Sequence, residues 1–157
     1  MKITLLAIGK TDDAYILEGI EKYLKRLKHY IKFELIILPD IKNNKNLSED
    51  EQKLKEAELF FKKIQNTDQL VLLDERGTEF TSLQYADYIN KRMISSVQNL
   101  VFLIGGPYGF DQSIYQRANH KISLSKMTFS HQMIRLFFIE QVYRAFTILK
   151  GEPYHHE

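Results

Sequence analysis

Apolar and polar positions along the chain switch repeatedly between two periods. Residues 3–8 are a short apolar run, interrupted only by Thr4 and closed by Gly9, the pattern of a buried strand. Tyr15, Ile16, Ile20, Tyr23, Leu24 and Leu27 then recur at helical spacing, with Glu18, Glu21, Lys22, Lys25 and Arg26 between them. Residues 33–38 predict a second strand, closed by Pro39-Asp40, and the Asn/Lys-rich stretch 41–47 predicts an exposed loop. Ser48-Glu49-Asp50-Glu51 fits a capping box, continued as a helix by Leu54, Ala57, Phe60, Phe61 and Ile64. Residues 70–73 predict a third strand running into Asp74-Glu75-Arg76-Gly77. Thr81 or Ser82 then caps a helix carrying Leu83, Ala86, Ile89, Met93 and Ile94. Residues 100–104 predict a fourth strand, followed by Gly105-Gly106-Pro107-Tyr108-Gly109. A short helix over 111–117 leads to a weak fifth strand near 121–124. The last helix covers 131–149 and is ended by Gly151 and Pro153.

Strands and helices alternating in this way predict an α/β fold, a mainly parallel sheet of five to six strands with helices on both faces. No linker or repeat interrupts the pattern, so residues 1–157 read as a single domain. The final helix is apolar around most of its girth, from Met133 to Leu149. One apolar stripe suffices for a surface helix, so this one is either a central core helix or a subunit interface.

Composition removes several function classes. With 44% hydrophobic and 27% charged residues the chain is not disordered. The absence of cysteine excludes a disulfide scaffold, a Cys-ligated zinc site and a thiol nucleophile, and makes the cytoplasm the expected location. No apolar run approaches the roughly 20 residues of a membrane span, so no membrane partner is expected. A net charge of +2 does not mark a nucleic-acid binder by field strength. From Tyr115 onward, however, six cations face three anions, and four of the five histidines lie there, which permits a polyanionic partner.

Ligands of parallel sheets bind beyond the carboxyl ends of the strands, which directs attention to the loops after strands three, four and five. The glycine loop 105–109 allows close backbone approach by a ligand, or is simply a tight turn. It is neither a P-loop nor GxGxxG. In the loop 123–131, hydroxyls alternate with apolar side chains, which suits a pocket for an aromatic base. An ordinary strand-to-helix connection with Ser130 as N-cap explains the same pattern. No GxSxG elbow, carboxylate pair or metal-ligand spacing is present. His131 at a helix start reads as structural, Glu140 and Arg144 as an ion pair one turn apart, and Arg135 as able to reach a phosphate or carboxylate.

The same segments carry a family resemblance. MKITLLAIGK (1–10), VFLIGGPYG (101–109), LSKMTFSHQ (124–132), Arg135, IEQVYRAF (139–146) and Pro153-Tyr154-His155 resemble the ribosomal RNA large subunit methyltransferase H family. This is a small SPOUT-class group of S-adenosylmethionine enzymes. The likeness runs end to end and is most specific in the C-terminal third; Ser130 stands where the family usually has proline. It implies a C-terminal trefoil knot, a homodimer to which Phe137 and Phe138 contribute, and methyl transfer to N3 of a pseudouridine in 23S rRNA of the assembled ribosome. It further implies cofactor contacts from Leu73, Gly105, Leu124, Ser125, Lys126, Met127, Thr128 and Phe129, with the Lys126 ammonium turned away from the sulfonium cation. Tyr154, His155 and Arg135 match the family's motifs and are the candidate catalytic residues, the tail being expected to reach the partner subunit's cofactor, with Tyr154 stacking on the acceptor base and His155 accepting the N3 proton. A non-catalytic ribosome-associated or RNA-binding module is the second reading. A doubly wound enzyme using another nucleotide is the third.

Overall fold

The computed structural model describes residues 1–156. Its elements are β1 (Lys2–Ile8), α1 (Ala14–Leu27), β2 (Lys32–Leu38), α2 (Glu49–Phe61), β3 (Gln69–Glu79), α3 (Ser82–Ile94), β4 (Asn99–Ile104), α4 (Gln112–Arg117), β5 (His120–Ser123) and α5 (His131–Leu149). The five strands form one sheet in the order β2-β1-β4-β3-β5, and every neighbouring pair is parallel. The lower strand number expected from the pattern is therefore the one adopted.

Side-chain alternation along the strands divides the interior into two layers. Ile3, Leu5, Ala7, Val71, Leu100, Phe102 and Ile104 pack with residues of α1, α3 and α5. Leu6, Leu70, Leu72, Val101 and Leu103 pack with Ala57 and Phe60 of α2 and Ile114 of α4. Helices thus cover both faces, which is why the central strands β1 and β4 read as largely apolar runs. Capping residues set the helix starts: Ser48 and Thr81 each complete a capping box, and the Ser130 hydroxyl accepts the Met133 amide at 3.2 Å.

Helix α5 lies between α1 and α3. Phe138, Ile139, Val142, Ala145 and Phe146 are buried in the subunit's own core, Phe138 against Phe102 with ring centroids 4.6 Å apart. Phe138 is thereby unavailable to a second subunit, contrary to expectation, whereas Phe137 is 41% exposed. The helix ends in a Schellman turn: Gly151, at φ +66°, donates to the Ile148 carbonyl, and Glu152 donates to that of Thr147. Among the described residues no helix is long and apolar enough to cross a membrane.

Strand β3 departs from expectation by continuing to Glu79. It leaves β5 after Leu73 pairs with Ile122, and rejoins it where Thr78 again meets Ile122 and Glu79 meets Ser123. At the crossing only glycine fits. A Cβ on Gly77 would stand 2.5–2.7 Å from backbone atoms of Lys121 and Ile122. The polar Asp74-Glu75-Arg76 insert hides this continuation from any periodicity.

Candidate functional site

A cleft of about 590 Å³ opens beyond the carboxyl ends of β3, β4 and β5. Of the eight residues carried over as cofactor contacts, Leu73, Gly105, Leu124, Ser125, Met127, Thr128 and Phe129 line it. Lys126 does not. Its ammonium is exposed and lies 3.8 Å from Glu79, turned away from the cavity.

The loops around the cleft are shaped mainly by their own backbones. Residues 106–109 form a tight turn in which Gly109, at φ +80°, donates to the Gly106 carbonyl at 3.2 Å. The glycine loop is therefore both a turn and a cleft wall. A Cβ on Gly105 would sit 3.2 Å from the Gly109 carbonyl oxygen and from the Phe110 ring, so a larger residue would distort the loop as well as fill the cavity. In the loop after β5, the Ser123 hydroxyl donates to the Ser125 carbonyl at 2.9 Å, and the Ser125 hydroxyl accepts the Met127 amide at 3.0 Å. These two hydroxyls fix the loop's path. Met127 is left 75% exposed at the mouth, and Phe129 packs edge-on against Phe137.

Charges are arranged around apolar walls of Leu73, Ile104, Leu124, Phe129 and Ile134. Lys53, Asp74, Glu75 and Arg76 supply both signs at the same cavity. The Tyr115 hydroxyl donates to Asp74 at 2.6 Å, and burial followed by that bond pushes the phenol up to about 12. His131, at the cleft rim, has its imidazole pKa lowered by desolvation and then by the nearby Arg135 charge, so the ring is neutral near neutral pH. An aromatic ring between the apolar walls and a zwitterionic end among the charges would both find partners here.

The three residues carried over as catalytic lie elsewhere. Arg135 is 1% exposed and spends its guanidinium on the end of β1: Nη1 donates to the Gly9 carbonyl (2.7 Å) and Thr11 Oγ1 (2.8 Å), and Nη2 to the Ile8 carbonyl (2.6 Å). Three of its N–H groups are committed to the fold in this way, while Nε has no partner among the described residues. Tyr154 and His155 follow α5 in the chain and fold back along it. The Tyr154 hydroxyl donates to Glu140 at 3.0 Å and lies 3.1 Å from that of Tyr23; its ring packs against Tyr143 and under the Arg144 guanidinium. His155 Nδ1 is 3.5 Å from Arg144 Nη1. The tail is docked rather than frayed, and the Glu140–Arg144 pair anticipated from spacing, at 2.6 Å, forms part of its seat.

Sequence reasoning assigned no role to Asp74, Arg76 or Tyr115. The signal for the first two was their position directly beyond a parallel strand; Tyr115 carried none, because its partner lies 41 residues away.

Comparisons with known proteins agree with this architecture. A family model described as "Predicted SPOUT methyltransferase" matches residues 1–155. The chain is 62% identical to ribosomal RNA large subunit methyltransferase H of Parabacteroides distasonis and 60% identical to that of Flavobacterium johnsoniae, over 100% of both partners in each case. Its likeness to the crystal structure of tRNA (m1G37) methyltransferase from Aquifex aeolicus, at TM-score 0.58 and 12% identity over 100% of this chain and 76% of that one, concerns the fold alone.

Proposed function

Because the chain belongs to the SPOUT methyltransferase family, we propose that it transfers a methyl group from S-adenosylmethionine to large-subunit (23S) ribosomal RNA. Its relatives' names and their end-to-end match support the RNA substrate. The finer reading is N3 of a pseudouridine on the assembled ribosome, with the enzyme acting as a cytoplasmic homodimer. The observation that carries the proposal is the cleft itself, in which the backbone-shaped loops after β4 and β5 meet the end of β3 around apolar walls.

Bound there, the cofactor supplies a methyl group made electrophilic by its sulfonium. Leu73, Leu124 and Phe129 would hold the adenine, and main-chain groups of Gly105 and of residues 124–129 its polar edges. Asp74, Glu75, Arg76 and Lys53, which line the same cleft, would meet the ribose and the amino-acid end. The protein's principal contribution is alignment of acceptor and methyl in line. The acceptor imide also has to lose a proton, which calls for a neutral base beside the methyl.

The location of the tail supports a site shared between subunits. Helix α5 starts at the cleft and runs 19 residues away from it, about 28 Å at 1.5 Å per residue. The tail turns back from that end onto Glu140 and Arg144, and no described tail residue lines its own cleft. In a two-fold dimer packed along α5, the exposed Phe137 strip faces its copy, and the tail of one subunit approaches the cleft of the other. His155 is then the proton acceptor, and Tyr154, with its hydroxyl and ring engaged, positions it. The knot belongs to the same reading, and the backbone crossing at Gly77 supports it.

Calorimetry with S-adenosylmethionine tests the cleft. Mass spectrometry of rRNA from a deletion strain, with and without the restored gene, tests the substrate. A cleft that binds no cofactor, or rRNA whose methylation is unchanged by deletion, refutes the proposal.

A further inference from the structure

A second cavity, of about 200 Å³, lies beside the cleft, and the two meet along Ser123, Leu124 and Phe129. Phe80, Tyr85 and Phe137 complete its mainly aromatic walls. The Phe129 and Phe137 rings pack edge-on with centroids 5.1 Å apart, yet they remain 36% and 41% exposed. Pockets for drug-sized ligands run from roughly 300 Å³ upward, so this one has room for a single ring system. Gln141, one turn after Phe137 on α5, brings a polar group to it. Its Nε2 donates to Glu140 Oε2 at 2.7 Å. A carboxylate only accepts, so that bond fixes which way the amide faces; Gln141 Oε1 accepts no hydrogen bond from the described residues. Tyr85 is 5% exposed, and its hydroxyl has no hydrogen-bond partner among the described residues.

We propose that this cavity holds the acceptor nucleobase and that Gln141 selects pseudouridine over uridine. The inference rests on the reading of the chain as a pseudouridine methyltransferase. In-line transfer needs the acceptor base in contact with the methyl group, and a cavity that adjoins the cofactor cleft meets that need. Phe137 belongs to the strip proposed to face the second subunit, so the cavity opens at the seam where the partner's tail would arrive. Unstacked RNA bases are held on aromatic rings and hydrogen-bonded along their edges. The pseudouridine base is joined to its sugar through carbon and therefore carries two N–H groups. N3–H is lost on methylation, whereas N1–H remains. In uridine N1 is bonded to the sugar and has no proton. Gln141 Oε1, accepting N1–H, tells the two bases apart, and a ring carbonyl offers the Tyr85 hydroxyl a partner. A site built to hydrogen-bond a substrate N–H rejects the analogue that lacks it, because its own polar group is then left unpaired.

The test compares ribosomes carrying pseudouridine at the target position with ribosomes from a strain lacking the pseudouridine synthase, which carry uridine there. Wild type should prefer the first by about tenfold or more in kcat/KM, and Gln141→Met, of similar volume, should bring that ratio to within about twofold of unity. The ratio is decisive because a disturbance of Glu140 or of the tail slows both substrates alike. Tyr85→Phe removes a hydroxyl that has no partner in the free protein. It should leave the unfolding temperature unchanged and still lower kcat/KM severalfold. An unaltered ratio in a folded, dimeric Gln141→Met protein overturns the proposal, as does a wild type indifferent to the two bases. An unaltered ratio accompanied by dissociation of the dimer also overturns it, because a second copy then fills the cavity. If neither ribosome is methylated, the functional reading fails, and NMR of the Ile122 methyl groups during titration with free pseudouridine or uridine decides the cavity alone. Perturbation by pseudouridine and not by uridine supports the assignment; equal or absent perturbation overturns it.

Discussion

The cleft and the seat of the tail are built from different materials. At the carboxyl ends of β3, β4 and β5, the cleft is shaped by turns and by short hydroxyl-to-backbone bonds within the loops 105–109 and 123–129. Elsewhere, the tail is held by side chains, some of them far apart in sequence: Tyr30 to Glu152 and Tyr23 beside Tyr154, with Tyr154 also donating to Glu140 and lying under Arg144. A backbone-built site tolerates changes of side-chain type but not an added Cβ where main chains touch. A side-chain-built seat should show the reverse sensitivity.

The largest expected effect breaks the tail end. Deleting residues 152–157 should abolish methylation of ribosomes while leaving cofactor affinity and dimerisation near wild type. His155→Ala should lower turnover far more than affinity, and mixing it with a cleft-defective variant should restore one working site per mixed dimer. Wild-type turnover by the truncated enzyme would show that docking of the tail has no catalytic purpose.

At the cleft end, Gly105→Val should weaken cofactor binding at least a hundredfold, because its side chain presses on the Gly109 carbonyl and the Phe110 ring as well as entering the cavity. Calorimetry on the folded variant measures this, and unchanged affinity would remove Gly105 from the site. A smaller effect is expected beside the cleft at Gly77→Ala. Its methyl would meet the β5 backbone, and overpacking of this kind costs about 1–3 kcal/mol. Urea unfolding that shows no loss would mean that the two segments separate more easily than their close approach implies.

The same contrast decided what was legible in the chain. Strand runs, helix periodicity and caps are local, so the order of elements and the two-sided burial could be read directly, and with them the loops at the strand ends. Family likeness singled out individual positions there, seven of which line the cleft. Long-range partnerships left no local mark. Glu56 sits in the acidic stretch 49–58, yet the residue is 4% exposed, with its carboxylate against Gly106 of the glycine loop. Arg135 looked available for a ligand because its acceptors, the Ile8 and Gly9 carbonyls, lie more than 120 residues away. The second half of β3 was missed because four residues, 74–77, separate its two pairings with the same residue of β5.

The finest comparison sets one tyrosine–carboxylate pair against another. Tyr115 donates to Asp74 at the cleft, and Tyr30 donates to Glu152 at the tail; both phenols are pushed up to about 12. In the unfolded chain each would ionise near about 10. Between those values the native state holds the proton and the unfolded state does not, so their contribution is complete below about pH 10 and is lost as pH rises towards about 12. The causes differ in order, however. Burial comes first for Tyr115, whereas the bond to Glu152 comes first for Tyr30, whose surroundings are more open. Salt at about 1 M shortens the screening length to about 3 Å and weakens exposed charge effects far more than desolvation. Alkaline difference spectra of wild type against Tyr115→Phe and Tyr30→Phe, at low and high salt, should show the Tyr30 ionisation moving back towards the ordinary phenol range while that of Tyr115 holds. Equal salt sensitivity at the two ends would mean that the cleft pair is as solvated as the tail pair, and that the cleft's walls exclude less water than its apolar lining indicates.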